Sequence, residues 1–137
     1  MNWGIEEILS QSVLVVDDEP MARTLLRLML VRAGFEVVEA ENGADALVRV
    51  AEQTPDVVIL DVMMPGMDGF AVCEQVRLAK GRAELPIIML SAKTDMQSVA
   101  RGLQLGANKY LTKPISPEEL TRHVREVLQV TSAQSDD

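Results

Sequence analysis

Five side chains that could do chemistry together stand at the ends of short apolar runs. Asp17 and Asp18 follow the first run, and Asp61 follows the third. Ser91 ends the fourth run, and Lys113 follows the fifth. In an open parallel sheet the carboxyl ends of the strands meet at one edge, where ligands bind. The spacing therefore predicts three carboxylates, a hydroxyl and an ammonium group in one site.

These residue types suit the transfer of a phosphoryl group. Three carboxylates that lie close together repel, which would raise their pKa values, and a hard divalent cation such as Mg²⁺ removes this conflict. Asp61 is then a candidate nucleophile, since carboxylates form phosphoryl intermediates. Lys113 would neutralise phosphoryl oxygens, and the Ser91 hydroxyl would donate a hydrogen bond to one of them. A cis bond between Lys113 and Pro114 could direct the lysine inward.

The elements that must position these residues are short apolar segments, which alternate with amphipathic helical segments as in βαβ units. Pro20 and Asp68 mark the starts of helices, whereas Gly34 and Gly106 mark helix ends. The right-handed crossovers of such units give a doubly wound five-stranded parallel sheet, an α/β fold with helices on both faces. Strands are expected at residues 13–16, 35–40, 57–60, 86–90 and 110–111.

Domain organisation follows from the same pattern. Residues 1–10 lie outside it as an N-terminal extension, and residues 11–130 form one domain. Residues 131–137, TSAQSDD, are expected to be a polar disordered tail or the start of a linker. A fourth helix is indicated by an apolar stripe at helical spacing, formed by Met96, Val99, Ala100 and Leu103.

The composition narrows the function classes. Lys and Arg number 13 against 21 Asp and Glu, and the resulting net charge of −8 disfavours direct binding to nucleic acid or to an anionic membrane. The single cysteine excludes an internal disulfide framework and favours a reducing compartment. No run approaches the roughly 18 apolar residues that a membrane span needs. A cytoplasmic protein is expected.

Four sequence strings together resemble the receiver domains of bacterial two-component response regulators, in the family's order from about residue 13 to about residue 128. They are VLVVDDEP, VVILDVMMPGMDG, PIIMLSAK and GANKYLTKPISPEEL. The resemblance implies a flavodoxin-like, three-layer fold with strand order 2-1-3-4-5. It also implies a phosphoacceptor switch in a phosphorelay, with a sensor histidine kinase or a histidine phosphotransfer protein as the phosphoryl donor.

The resemblance also assigns roles to residues of the site. It implies that Asp61 is the phosphorylation site. Mg²⁺, with Mn²⁺ as an alternative, would be held by Asp61, by Asp18 directly, by Asp17 through water and by the backbone carbonyl of Met63. Lys113 would contact the phosphoryl group.

Ser91 and Tyr110 would form a switch pair. Ser91 would turn toward the phosphoryl group while Tyr110 moves between outward and inward positions. A downstream protein would then read the face of the fourth helix, fifth strand and fifth helix.

Two departures bear on partners. Many transcription-factor receivers have acidic residues just before the switch tyrosine, at a dimer interface, but Asn108 and Lys109 stand here. We therefore expect a monomer or a weak phosphorylation-dependent dimer. No output domain follows the last helix, which predicts a stand-alone receiver.

Alternative interpretations remain open at this point. A haloacid dehalogenase-type phosphohydrolase uses similar groups but needs a second aspartate two residues after the nucleophile, where Met63 stands. A degenerate receiver would only bind partners, although none of its key residues is missing here. Taken singly, Ser91 could be a strand cap and Tyr110 a half-buried strand residue. His123 is interpreted as a boundary residue without a phosphotransfer role.

Overall fold

The computed structural model describes the backbone of residues 11–135 and the side chains of residues 11–129. The predicted extension at residues 1–10 lies outside the described residues. Five strands alternate with five helices. In chain order they are β1 (Ser12–Val16), α1 (Pro20–Arg32), β2 (Glu36–Ala40), α2 (Gly43–Glu52), β3 (Val57–Leu60), α3 (Gly69–Leu78), β4 (Ile87–Ser91), α4 (Met96–Gln104), β5 (Lys109–Thr112) and α5 (Pro117–Ser135).

All strand pairs are parallel, and the order across the sheet is β2-β1-β3-β4-β5. This topology confirms the predicted doubly wound fold. The register aligns the carboxyl ends of the strands, because Val16 pairs with both Ala40 and Leu60, and Ser91 pairs with Thr112. The residues that follow these positions therefore emerge at one edge of the sheet.

The sheet is buried on both faces, which explains why β3 is apolar throughout and β4 is apolar up to its last residue, Ser91. Alternate residues point to opposite faces, so that Leu14 and Val16 pack with the helices on one side, whereas Val13 and Val15 pack on the other. The first layer contains buried residues of α2 and α3, and the second contains buried residues of α1 and α5. The result is the predicted three-layer arrangement.

The two helix starts predicted at Asp68 and Pro20 are present. Asp68 accepts a hydrogen bond from the Ala71 amide at 2.9 Å, which caps α3. Pro20 is the first residue of α1. Gly34 and Gly106 follow helices with φ of 100° and 109°, a conformation that glycine adopts without a Cβ clash.

The apolar stripe of α4 is partly exposed to solvent, unlike the apolar stripe of an ordinary core helix. The helix is present, but Met96 and Leu103 are 86% and 47% exposed. Its buried residues are Ser98 and Gly102. A Cβ on Gly102 would lie 2.6 Å from the Met89 sulfur, so the small residues are the ones that allow α4 to approach the sheet closely.

The last helix runs further than the sequence pattern indicates. The backbone of α5 is helical through Ser135, into the segment 131–137 that was predicted to be a disordered tail or a linker start. The Ser116 hydroxyl caps the start of this helix, since it accepts a hydrogen bond from the Glu119 amide at 3.1 Å. The domain boundaries at residues 10 and 130 remain a prediction.

Candidate functional site

Two buried aspartates lie side by side where β1 and β3 end. The Asp61 amide donates to the Val16 carbonyl at 3.0 Å, and the Asp17 amide donates to the Ala40 carbonyl at 3.2 Å. Each aspartate thus continues the ladder of its strand by one hydrogen bond. Asp17 is 1% exposed and Asp61 is 8% exposed, so the sheet edge places both carboxylates where water is scarce.

Lys113 joins these two carboxylates. Its Nζ lies 2.7 Å from Asp17 Oδ2 and 3.4 Å from Asp61 Oδ2. The Lys113 amide donates to the Ser91 carbonyl at 3.0 Å, which anchors the segment after β5 to the end of β4. The Lys113–Pro114 peptide bond is cis, as the sequence interpretation suggested.

Asp18 completes an acidic cluster, the term used below for Asp17, Asp18 and Asp61. One carboxylate oxygen of each residue lies within 4.8 Å of the others. The donor set consists of carboxylate oxygens, without a thiolate or imidazole, and this is the set that hard cations such as Mg²⁺ prefer. The three residues therefore fit a divalent cation of that class.

Burial is the main cause of the shifted pKa of Asp61. It raises the pKa of the Asp61 carboxyl above the ordinary value. The Lys113 ammonium and the Met63 amide oppose the rise, whereas repulsion from Asp17 adds to it. The predicted carboxylate repulsion is therefore present at Asp61 but is smaller than the effect of desolvation.

Lys113 responds in the opposite way to the same surroundings. Burial alone would lower the pKa of its ammonium group, but the hydrogen bond to Asp17 and the charge of Asp61 raise it above the ordinary value. Lys113 is therefore charged at neutral pH and offsets part of the negative charge of the acidic cluster.

Ser91 and Tyr110 lie beside this cluster and both contact Lys93. The fully buried Ser91 hydroxyl accepts a hydrogen bond from the Lys93 amide at 3.1 Å. The Tyr110 hydroxyl donates to the Lys93 carbonyl at 2.6 Å. Burial raises the pKa of the half-buried Tyr110 phenol, and the nearby Ser91 hydroxyl opposes the rise. Both side chains are thus held by the segment that follows β4.

Met63 lies at the rim of the site. Its amide donates to Asp61 Oδ1 at 3.1 Å, and its side chain is exposed. The structure thus brings Asp17, Asp18, Asp61 and Lys113 together, with Met63 adjacent through its main chain. Metal ligation by the Met63 carbonyl and the switch roles of Ser91 and Tyr110 remain predictions.

Sequence reasoning missed two residues that shape the site. A Cβ on Gly69 would lie 2.3 Å from the Asp61 carbonyl oxygen, so only glycine allows α3 to start this close to β3. Arg23 donates from Nη1 to the Asp17 carbonyl at 2.7 Å. A glycine at the first position of a helix could have indicated the close approach at residue 69. No local sequence signal marks the contact of Arg23.

Comparison with known families matches most of the described chain. A family model described as "Response regulator receiver domain" matches residues 13–125. All residues of the acidic cluster, together with Ser91, Tyr110 and Lys113, fall within this match.

Known proteins resemble the chain in sequence and in structure. The alkaline phosphatase synthesis transcriptional regulatory protein PhoP of Bacillus subtilis is 42% identical over 88% of this chain and 50% of its own length. The chain spans about half the length of the curated relatives it matches. The chemotaxis protein CheY4 of Vibrio cholerae superposes with a TM-score of 0.82 at 36% identity, covering 86% of this chain and 98% of that one. A Francisella response regulator receiver domain superposes with a TM-score of 0.82 at 31% identity, covering 89% and 99%.

Proposed function

Because the chain belongs to the response regulator receiver domain family, we propose that it is a phosphoacceptor switch in which Asp61 takes a phosphoryl group with the help of Mg²⁺. One observation carries the assignment of the site. Three carboxylates lie within 4.8 Å of one another at the edge of the sheet, and Lys113 contacts two of them. Family membership supports two-component signalling, whereas the residue roles are the content of the proposal.

The proposed step is a transfer between two side chains. An Asp61 carboxylate oxygen forms a bond to the phosphorus of a phosphohistidine on a histidine kinase or phosphotransfer protein. The phosphorus–nitrogen bond breaks, and its electron pair returns to the imidazole. Asp17, Asp18, Asp61 and the Met63 carbonyl would hold the cation, which when bound would neutralise carboxylate and phosphoryl oxygens. Mn²⁺ is the expected substitute.

Lys113 and Ser91 would receive the transferred group. Lys113 already lies 3.4 Å from Asp61 Oδ2, so its ammonium is placed to balance the charge of a phosphoryl group there. The Ser91 hydroxyl would donate to a phosphoryl oxygen after leaving the Lys93 amide. Loss of the hydrogen bond between Ser91 and the Lys93 amide would free the segment that holds the Tyr110 hydroxyl. Tyr110 would then turn inward and change the face of α4, β5 and α5. Met96 and Leu103 of α4 are exposed, so they are accessible to a partner.

A phosphohydrolase is the competing function. It would require a general acid near Asp61, but the residue two positions later is Met63, whose side chain is exposed and carries no acid. We therefore propose a switch that does not turn over an external substrate. Sustained hydrolysis of a phosphate ester in the presence of Mg²⁺ would reverse this choice.

The chain's own contacts also bear on its partners. Lys109, at the position before Tyr110, pairs with Glu126 of α5 and contacts His123, so its charge is used within the chain. This supports a monomer or a weak phosphorylation-dependent dimer.

The net charge of −8 supports the absence of direct nucleic-acid binding by this domain. None of the helices in the described part of the chain has the length and apolar character that crossing a bilayer requires. Family membership and the single cysteine support a cytoplasmic location, and the stand-alone receiver remains a prediction.

Incubation with acetyl phosphate and Mg²⁺, followed by intact-mass measurement, tests the proposal. We expect the addition of one phosphoryl group, which is lost in Asp61→Asn and strongly reduced when the metal is chelated. An unmodified wild-type protein would support a module that only binds partners. Modification that persists in Asp61→Asn would assign the phosphoryl group to another residue.

A further inference from the structure

We propose that Arg23 is a positioning residue that fixes the main chain of Asp17 so that the acidic cluster binds its cation. This inference rests on the proposed function, since it concerns how the same site is built. Arg23 lies in the first turn of α1 and its side chain is 15% exposed. Its Nη1 donates to the Asp17 carbonyl at 2.7 Å, so a partly buried guanidinium supports the loop that carries two of the three carboxylates.

Arg23 holds the main chain of Asp17 at its carbonyl, and β2 holds it at its amide. The Asp17 amide donates to the Ala40 carbonyl at 3.2 Å, whereas the Asp17 carbonyl accepts from Arg23. Both main-chain polar groups of Asp17 are thereby held by different elements. The side chain of Asp17 is also fixed, because its Oδ1 accepts from the Glu19 amide at 3.0 Å and its Oδ2 accepts from Lys113 at 2.7 Å.

The guanidinium itself is held at a second point. Arg23 Nε lies 3.3 Å from Glu39 Oε1, and Arg27 Nε lies 3.2 Å from Glu39 Oε2. Glu39 belongs to β2, so Arg23 ties the start of α1 to the neighbouring strand. This arrangement needs the planar fork of arginine, since the single ammonium of lysine cannot reach both acceptors in the same geometry.

The helix that follows this loop starts without a capping side chain. The N-cap residue of α1, Glu19, makes no side-chain cap hydrogen bond, and the first turn of α1 contains no acidic residue. Arg23 therefore supplies an anchor that a capping side chain supplies at α2 and α3, where Asn42 and Asp68 accept amide hydrogen bonds. Removal of this anchor would loosen Asp17 and, with it, the adjacent Asp18.

The sign of the effect separates positioning from simple electrostatics. Arg23 is a cation next to an acidic cluster, so the loss of its charge alone would make cation binding tighter. Loss of positioning would make cation binding weaker. Arg27 offers a matched control, because it is on the same helix and pairs with the same glutamate, while its described contacts do not include Asp17.

Binding of Mn²⁺ alone, followed by electron paramagnetic resonance on the full chain, provides the test. We expect Arg23→Met to weaken Mn²⁺ binding by about three- to tenfold, the effect of losing one hydrogen bond that orders the site. Arg23→Lys should give an intermediate loss. Arg27→Met should bind as wild type does or slightly more tightly. Asp18→Asn serves as the variant in which the site itself is lost.

The outcomes decide separately between this inference and the proposed function. Equal or tighter binding in Arg23→Met than in Arg27→Met would overturn the positioning role. Failure of the wild type itself to bind Mn²⁺ would overturn the metal site. If Arg23→Met does not fold, Arg23→Lys decides, and wild-type affinity in that variant contradicts the proposal. In the metal-free protein, hydrogen exchange at the Asp17 amide should accelerate in the Arg23 variant that folds and stay unchanged in Arg27→Met.

Discussion

The Lys113 ammonium donates a 2.7 Å hydrogen bond to the buried Asp17 carboxylate, and this bond connects residues 96 positions apart in the sequence. Asp17 is 1% exposed on its side chain and Lys113 is 28% exposed. The ammonium therefore compensates a charge that water cannot reach. Because Lys113 also lies near Asp61, the same group is available to a phosphoryl oxygen without a large displacement.

Replacement of this lysine should be costly to stability. Removal of one partner of a buried ion pair costs about 3–5 kcal/mol, and partial exposure of Lys113 reduces the expected loss to about 1–3 kcal/mol. We expect Lys113→Met to lower the free energy of unfolding by that amount in urea titrations at neutral pH without metal. Lys80→Met, a change at an exposed lysine, should stay within about 0.5 kcal/mol. If the Lys113 variant is as stable as the Lys80 variant, the ion pair between Lys113 and Asp17 does not contribute to the free energy of unfolding.

Gly69 should be required for the reactivity of Asp61. A Cβ at this position would meet the Asp61 carbonyl oxygen and the Val62 Cα at 2.3 and 2.7 Å, and both atoms belong to the main chain. We expect Gly69→Ala to lower stability by about 1–3 kcal/mol, the usual cost of overpacking, and to slow phosphorylation by acetyl phosphate.

Gly43→Ala is the matched control for Gly69→Ala. Gly43 is also the first residue of its helix, and a Cβ there would meet Met67 and Val72 at 2.9 Å. Gly43→Ala should therefore lose stability but keep the phosphorylation rate of the folded protein. Equal slowing in both variants would point to general loosening of the fold and against a local effect on Asp61.

Much of the fold could be predicted from residue patterns. Apolar runs that are buried on both faces predict the central strands of a parallel sheet, and the predicted strand at residues 57–60 matches β3. The orientation of α4 could not be read in the same way. Its apolar stripe suggests a core face, but the close approach permitted by Gly102 turns Met96 and Leu103 outward. Such an approach depends on neighbours distant in sequence.

The site shows a similar division. Strand-end positions predict that Asp17, Asp61 and Lys113 converge, because parallel strands expose their carboxyl ends at one edge. Spacing cannot indicate that Lys113 lies closer to Asp17 than to Asp61, since that preference depends on the packing of both carboxylates. The contact from Arg23 to Asp17 also depends on Glu39 of the neighbouring strand, which sequence spacing does not place.

The raised pKa of Asp61 has a consequence for stability. Burial holds this pKa above the value expected for an unfolded chain, so the folded state binds more protons in the interval between the two values. The contribution of Asp61 to stability is then fully present below the unfolded pKa and is lost as pH rises through the folded pKa. At neutral pH without metal, the ionised carboxylate opposes folding.

We therefore expect Asp61→Asn to raise the free energy of unfolding at pH 7 in the presence of a chelator. The gain should shrink as the pH falls below the ordinary range of aspartate, because the wild-type carboxyl is then protonated in both states. Urea titrations across this interval measure the effect. Glu36→Gln, a change at an exposed strand residue, should alter the free energy of unfolding little at any pH in this interval. A destabilised Asp61→Asn at pH 7 contradicts the expectation.

Met63 is expected to make the aspartyl phosphate long-lived. Resemblance to the family implies that the positions two residues after Asp61 and Ser91, here Met63 and Lys93, flank the attacking water. Met63 is 57% exposed, and its side chain carries no carboxyl or carboxamide group that could orient this water. Met63→Asn or Met63→Glu should shorten the phosphoryl lifetime by roughly threefold or more, as followed by intact mass after removal of acetyl phosphate. Met63→Leu should preserve the phosphoryl lifetime. Unchanged lifetimes in all three variants would show that the residue at position 63 does not control dephosphorylation.

His123 gives a direct measure of the environment between β5 and α5. Lys109 Nζ lies 2.7 Å from His123 Nδ1, an arrangement in which the lysine donates and the imidazole is neutral. Burial, followed by the charges of Lys109 and Arg122, lowers the pKa of His123, while Glu126 and Glu119 oppose the shift. Since the folded state then binds fewer protons than the unfolded state, stability should fall as pH decreases through the ordinary range of histidine.

The single histidine in the chain makes this pKa measurable by NMR without assignment of competing signals. We expect the imidazole resonance to titrate below the ordinary value for histidine. Lys109→Met should move the midpoint upward, because it removes a nearby positive charge and the donor to Nδ1. Arg125→Met also removes one positive charge, but from the exposed side of α5, and should leave the His123 midpoint nearly unchanged. Equal midpoints in the wild type and Lys109→Met would show that Lys109 does not hold His123 in its neutral form.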